Sequence, residues 1–266
     1  MIIDTHAHCY WENLEPRIEE VVSNMKKMNV SHAIQIGCDI ESSLQAIALA
    51  KRFSGIFYAT VWHHPETAQN IPKEHIPDLI QNFELLISEN RKYIVAIGET
   101  GFDYHYFTEW REEEQKINQQ AWWLAQWELA KKYNLPLVIH TRDARMDTVD
   151  FMIENNINRA VIHCYSENPE FAQRLMDFSS EIYFAFGWIL TYKKSEDVQL
   201  TAKMLPLNRI LLETDSPFLS PQIVRGTVNE PSHTRYVFER LCEIRTESKD
   251  EIEEVIYQNS RRFYSI

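Results

Sequence analysis

Eight short apolar runs, each followed by a longer amphipathic stretch, predict a single-domain α/β fold over residues 1–266, a (β/α)8 TIM barrel. A doubly wound open sheet is the runner-up, but no glycine-rich phosphate turn follows the first strand, as a dinucleotide-binding sheet would require. In a barrel of this kind the C-terminal strand ends form the active site, and histidines and carboxylates end several of the runs there. A hydrophobic content of 44% with 25% charged residues provides for a packed core and excludes a disordered chain.

The opening stretch "MIIDTHAHCYW" predicts a strand near residues 1–8. With period two, Ile2, Asp4, His6 and His8 share one face while Ile3, Thr5 and Ala7 point the other way. Two imidazoles on one strand face stand roughly 6–7 Å apart at the backbone, close enough to grip one cation. A helix near 15–29, a strand near 32–37 and a helix near 41–53 follow. The third strand, near 56–61, leads to His63 and His64; a helix near 75–90 comes next. Strand four, near 93–98, runs into "GETGFD" and delivers Glu99, with Asp103 just beyond. The helix near 110–133 carries acids at its start and lysines at its end, as its dipole favours. Its Trp122, Trp123 and Trp127 fall mid-helix and are assigned to packing.

Strands five and six, near 136–140 and 159–163, are apolar runs stopped by His140 and His163, with helices near 143–156 and 168–178. A strand near 181–186 and a helix near 195–204 precede strand eight, near 209–214, which ends at Glu213 and Asp215. The irregular patch 216–233 is long for a loop, and long loops in compact domains are usually functional. Helices near 232–245 and 249–263 close the chain.

A formal net charge of −12 argues against a protein that binds nucleic acid through broad charge neutralisation. Any anionic substrate must then be held by local cations: metals, a few arginines or helix N-termini. No apolar run approaches the roughly 18 residues of a membrane span, and no secretory signal opens the sequence. Four scattered cysteines without a C-x-x-C pair suit a reducing compartment, so a cytoplasmic location is expected. The sequence specifies no oligomeric state.

Five of the eight strands end in residues that bind hard or borderline cations, and four of the ten histidines occupy this one position. Four imidazoles with two carboxylates exceed the needs of one tetrahedral ion, so two divalent ions are expected, with Glu99 as the bridge. His6 and His8 would hold one, and His140 and His163 the other; Asp215 would contact the first or its water. Two ions about 3.5–4 Å apart acidify a water and clamp the oxygens of a reacting ester, which promotes hydrolysis. Asp215 and Glu99 are thus the expected catalytic carboxylates. Imidazole ligands suit zinc or manganese, and magnesium prefers oxygen, so magnesium, manganese and zinc all stay open. Arg142, Arg225 and His64 are the expected substrate contacts, the arginines because their fork fits a phosphate. Asp4 and Glu213 are expected to orient histidines. Trp62, Tyr104, Tyr165, Phe186 and Trp188 lie near the expected rim, where packing is favoured over stacking on bases.

The motifs "DTHAH", "GETGFDY", "PLVIHTRDA", "VIHCYS", "LLETDSPFL" and "RGTVNEP" together resemble TatD-type deoxyribonucleases of the amidohydrolase-like barrel superfamily. The resemblance runs over roughly residues 1–264. It implies metal ligands at His6, His8, Glu99, His140, His163 and Asp215, and a divalent-metal-dependent hydrolase of DNA phosphodiester bonds. It further implies 3′–5′ exonuclease action, commonly with magnesium, on single-stranded DNA or 3′ ends. This chain departs from the family in three places: Trp62 replaces a small residue, Glu167 follows "HCYS" and adds negative charge near the mouth, and "VRGTVNEP" lacks a histidine before the arginine. The competing enzyme reading is hydrolysis of a small amide, lactone or phosphoester by the same centre; a non-catalytic metal-binding scaffold is the third.

Overall fold

In the computed structural model, which describes residues 1–266, eight parallel strands pair in strict sequence order. They are β1 (Ile2–Ala7), β2 (Val30–Gln35), β3 (Phe57–Val61), β4 (Ile94–Asp103), β5 (Leu137–Arg142), β6 (Arg159–Ile162), β7 (Glu181–Phe186) and β8 (Ile210–Leu212). Ten α-helices connect and follow them: α1 (Ile18–Lys27), α2 (Ile40–Arg52), α3 (Pro65–Ala68), α4 (Ile76–Asn90), α5 (Glu112–Tyr133), α6 (Arg145–Glu154), α7 (Pro169–Phe178), α8 (Glu196–Met204), α9 (Thr234–Ile244) and α10 (Lys249–Tyr264). The expected (β/α)8 barrel is therefore the observed fold. The expected single helix at 75–90 is joined by the short α3, which His64 caps by accepting the Glu66 amide.

The strand limits depart from expectation where the polar residues fall. β8 contributes only three residues, so Glu213 and Asp215 lie beyond it. The barrel closes through this extension: the Asp215 amide donates to the His6 carbonyl (2.9 Å), and the His8 amide donates to the Ser216 carbonyl (2.7 Å). A parallel bridge joins Ala7 to Ser216. β4 is longer than expected and runs through Asp103, which puts Glu99 inside a strand. Its two glycines make that possible. A Cβ on Gly98 (φ +141°) would meet the Val138 carbonyl oxygen at 2.6 Å, and one on Gly101 (φ +131°) would meet that of His140 at 2.1 Å. Only glycine lets β4 approach β5 so closely in this conformation. The pairing shifts register between Ile97 and Thr100, around Glu99.

Alternate strand residues form two apolar layers. Ile34, Val95, Val138, Val161, Tyr183 and Leu211 come together inside the barrel, with Phe263 and Tyr264 of α10 beneath them. Most other apolar strand residues pack outward against the helices in one continuous core. Trp122, Trp123 and Trp127 are buried there, as expected of packing residues. Trp62 fills the space that a smaller residue would leave, with its ring 4.3 Å from Phe83 and 5.9 Å from Trp122. Each such side chain, fully buried, contributes about 1.5–3 kcal/mol by removal from water.

Candidate metal centre

The C-terminal ends of β1, β5 and β6, the middle of β4 and the segment after β8 bring the expected six residues together. Donor atoms of His6, His8 and Asp215 lie within 4.8 Å of one another, as do those of His6, Glu99 and His163. Glu99 stands between the groups and divides its carboxylate. Oε1 faces His140 Nδ1 (2.8 Å) and His163 Nε2 (2.5 Å), while Oε2 faces His6 Nε2 (3.4 Å). Asp215 Oδ1 lies 3.6 Å from His6 Nε2 and 3.5 Å from His8 Nε2. The His6 and His163 rings stack at 4.0 Å, so the two expected histidine pairs form one continuous cluster.

This donor set fits a divalent cation. His6 is fully buried, yet both of its ring nitrogens lack a hydrogen-bond partner. Such orphaned polar atoms are costly unless something absent from the chain satisfies them. Nε2 points between Glu99 and Asp215, as a ligand atom would. The ring orientations agree with this. Tyr10 Oη donates to the Ile36 carbonyl (2.6 Å), so it accepts from His8 Nδ1 (3.1 Å) and leaves His8 Nε2 facing Asp215. His140 Nε2 donates to Asp103 Oδ2 (3.0 Å), which sets the ring so that its Nδ1 faces Glu99 and His163.

The electrostatics are those of mutually dependent charges. Burial alone would raise Glu99, but His163, His64 and His6 with the His140 hydrogen bond hold it well below the usual carboxylate range. Asp215 is likewise lowered, against burial, by His8 and by the charges of His6 and His163. Burial opposes a charged His163, but Glu99 and Glu213 outweigh it and raise the imidazole well above its ordinary value. His6 goes the other way, lowered by burial and by His163.

The other expected residues divide. His64 Nδ1 accepts the Glu66 amide (3.1 Å), so the ring presents Nε2–H to Glu99 Oε1, 3.6 Å away. His63 turns from the centre into a pocket of Phe83 and Trp122, where burial lowers its pKa to about 4. Glu213 Oε1 accepts from the Cys164 amide (2.6 Å) and lies 3.5 Å from His163 Nδ1, in place to orient that ring. Asp4 corrects the expectation. Its carboxylate reaches the His6 backbone amide (3.3 Å) and the Thr214 amide and hydroxyl (2.8 and 2.6 Å), not an imidazole. It clamps β1 to the segment after β8, because both exits need their backbone donors satisfied at the seam.

Arg142 and Arg225 are exposed at the rim, each resting on a tyrosine. The Arg142 guanidinium lies 5.1 Å from the Tyr106 ring centre, and forms no ion pair with Asp143 or Glu154. Arg225 lies 5.6 Å from the Tyr192 ring centre and lines a groove of about 490 Å³ with Trp188, Leu219 and Thr227. Asn229 ties this loop down by donating to the Thr214 and Leu219 carbonyls (2.9 and 3.2 Å), and Glu230 pairs with Arg17. Glu167 corrects a second expectation: it is buried and paired with Arg145, so it adds no free negative charge at the mouth. Trp62, Tyr165 and Phe186 are fully buried, in line with packing, while Tyr104 and Trp188 are half-buried.

Two features escaped the sequence reading. Asp103 stands in the sequence only as a carboxylate just beyond Glu99; its contact with His140 follows from a strand that continues past Glu99, in which Gly101 pairs with His140 and Asp103 stands two residues on. Trp11 stacks on His8 (4.9 Å, 21° between rings), which nothing in the local pattern signals.

Comparison with known proteins gives a consistent picture. The family profile described as TatD related DNase matches residues 3–265. The chain is 33% identical over 268 residues to the uncharacterized metal-dependent hydrolase YabD of Bacillus subtilis, covering all of both chains. It is 30% identical over 271 residues to the uncharacterized metal-dependent hydrolase YcfH of Escherichia coli K12, covering 100% of this chain and 96% of that one. Among solved structures, the TatD homologue YjjV of Escherichia coli K12 superposes with a TM-score of 0.88 at 25% identity, covering 100% and 98% of the two chains.

Proposed function

The chain belongs to the TatD-related DNase family of metal-dependent hydrolases, and from that premise we propose that it cleaves DNA phosphodiester bonds as a 3′–5′ exonuclease on single-stranded or 3′-terminal substrates. The observation that carries the reading is the divided Glu99 carboxylate, one oxygen toward His6 and the other toward His140 and His163. In this reading His6, His8 and Asp215 would hold one divalent ion, His140 and His163 a second, and Glu99 both. Bound there, the ions supply Lewis acidity that acidifies a water and neutralises charge on a phosphate.

The protein's own groups do the rest. Asp215, kept ionised by the surrounding imidazoles, accepts the proton of the attacking water. His64 offers Nε2–H from beside Glu99 Oε1, where it can donate to a phosphate or leaving-group oxygen. Arg142 and Arg225, each beside a tyrosine ring, receive flanking phosphates. Tied down by Asn229, the long loop presents Arg225 in one place.

End-labelled single-stranded DNA, duplex DNA, RNA and small phosphoesters, each assayed with magnesium, manganese or zinc and with chelator, test the proposal. Stepwise loss from the 3′ end of single-stranded DNA, abolished by chelator and by Asp215→Asn, is the expected result. Wild-type turnover by Asp215→Asn removes the role given to that carboxylate. The net charge of −12 favours the second reading, a small amide, lactone or phosphoester substrate. Salt distinguishes them: affinity falls steeply with salt only when several phosphates are held.

A further inference from the structure

One donor at this centre has no place in the ligand set above. The Cys38 thiol, on the loop between β2 and α2, faces the centre from beside His8. Its Sγ lies 3.8 Å from His8 Nδ1 and 3.9 Å from Tyr10 Oη. Donor atoms of Cys38, His8 and Glu99 fall within 4.8 Å of one another, and no other cysteine joins such a group. The position is built from both sides. The Cys38 amide donates to Ser42 Oγ (2.8 Å), and its carbonyl accepts from the His64 amide (2.8 Å). Ser42 is itself locked in the capping box of α2 with Asp39. A side chain whose backbone is pinned on both sides meets a ligand at low entropic cost. The orphaned His6 Nε2, fully buried and directed at the same Glu99 carboxylate, independently marks this space as one that a cation fills.

We propose that Cys38 is a conditional ligand, recruited with His8 and Glu99 by thiophilic cations such as zinc or cobalt and left as a free thiol by magnesium or manganese. The inference rests on the metal-centre reading given above. Thiolate is a soft ligand that selects zinc-like ions, whereas carboxylates and waters satisfy harder ones. On coordination the S–H bond breaks, the sulfur lone pair forms the metal–sulfur bond, and the proton leaves to solvent; no electron is transferred. The chain would thereby discriminate among divalent ions at a centre whose other donors are hard or borderline.

Cobalt(II) titration of the purified protein, followed by near-ultraviolet absorption, tests this directly. A thiolate-to-cobalt charge-transfer band is expected in the wild type and in Cys164→Ser, and is expected to be absent in Cys38→Ser. Competition with a chromophoric chelator should show zinc affinity falling roughly 10- to 100-fold in Cys38→Ser. Manganese affinity should stay within about twofold, which also reports an intact fold. Cobalt binding without the band, or a band that survives Cys38→Ser, overturns the role of Cys38 while leaving the metal centre standing. Equal losses for zinc and manganese overturn it as well. No binding of any divalent ion overturns both.

Discussion

Asp103→Asn isolates what one buried carboxylate does for the centre. Asp103 is 1% exposed, and its Oδ2 accepts from His140 Nε2 at 3.0 Å. That bond holds the ring so that Nδ1 faces Glu99 and His163. The amide preserves shape but not charge, so the hydrogen bond loses its ionic assistance and the imidazole becomes a weaker base. Loss of such a partner costs roughly 10- to 100-fold in metal affinity. The consequence for stability follows from mass action. A cation at about 100 times its dissociation constant stabilises the wild type by about 2.7 kcal/mol. At the same concentration the variant would keep about 1.4 kcal/mol after a tenfold loss, and about 0.4 kcal/mol after a hundredfold loss. At about 2–4 °C per kcal/mol for a domain of this size, a metal-induced rise of about 5–11 °C falls to about 1–6 °C. Differential scanning calorimetry with and without zinc or manganese reads this, alongside affinity by calorimetric titration. An Asp103→Asn protein with wild-type affinity and the wild-type rise in Tm would refute the assignment of Asp103 as the residue that positions His140.

Other outcomes follow from the same geometry. Trp62→Ala should cost about 3–5 kcal/mol by denaturant unfolding, since it empties a site walled by Phe83 and Trp122; a change under about 1 kcal/mol would contradict its place in the core. His63 has its pKa depressed from 6.5 to about 4 by burial, so its contribution to stability is complete above pH 6.5 and is lost as pH falls toward and through about 4. That shift corresponds to about 3 kcal/mol, and His63→Phe should flatten the acid limb of stability against pH by that order. Identical limbs for the two proteins would show that His63 does not drive it. His64→Ala should lower kcat for phosphodiester cleavage by about 10²–10⁴-fold while metal affinity changes little, whereas His63→Phe should leave kcat near wild type. A reversed pattern would mean that the wrong member of the pair had been assigned to the centre.

The two histidines show where sequence reading stops. His63 and His64 are adjacent and chemically identical, and period alone places one on each face without saying which face is which. The turn into α3 decides it: His64 caps the helix through Nδ1, which swings Nε2 toward Glu99 and leaves His63 among aromatic rings. Glu167 makes the same point about charge. Its formal charge is plain in the sequence, but its neutralisation by Arg145 requires α6 and the loop after β6 to meet. Asp4 shows it for role, since Thr214, its partner across the closing seam, lies 210 residues away.

What the sequence determined by itself was the barrel and its order of elements, and it singled out the six candidate donors, because hydrophobic period and the repeated ending of apolar runs in histidine or carboxylate are local signals. What only the tertiary structure decided was the way those donors share Glu99, the contact of Asp103 with His140, the approach of Cys38 and the pairing of the outlying charges. These depend on register and closure, where β4 draws close to β5 over two glycines and the chain beyond β8 meets β1. Distances between groups far apart in sequence arise only once the ring has closed.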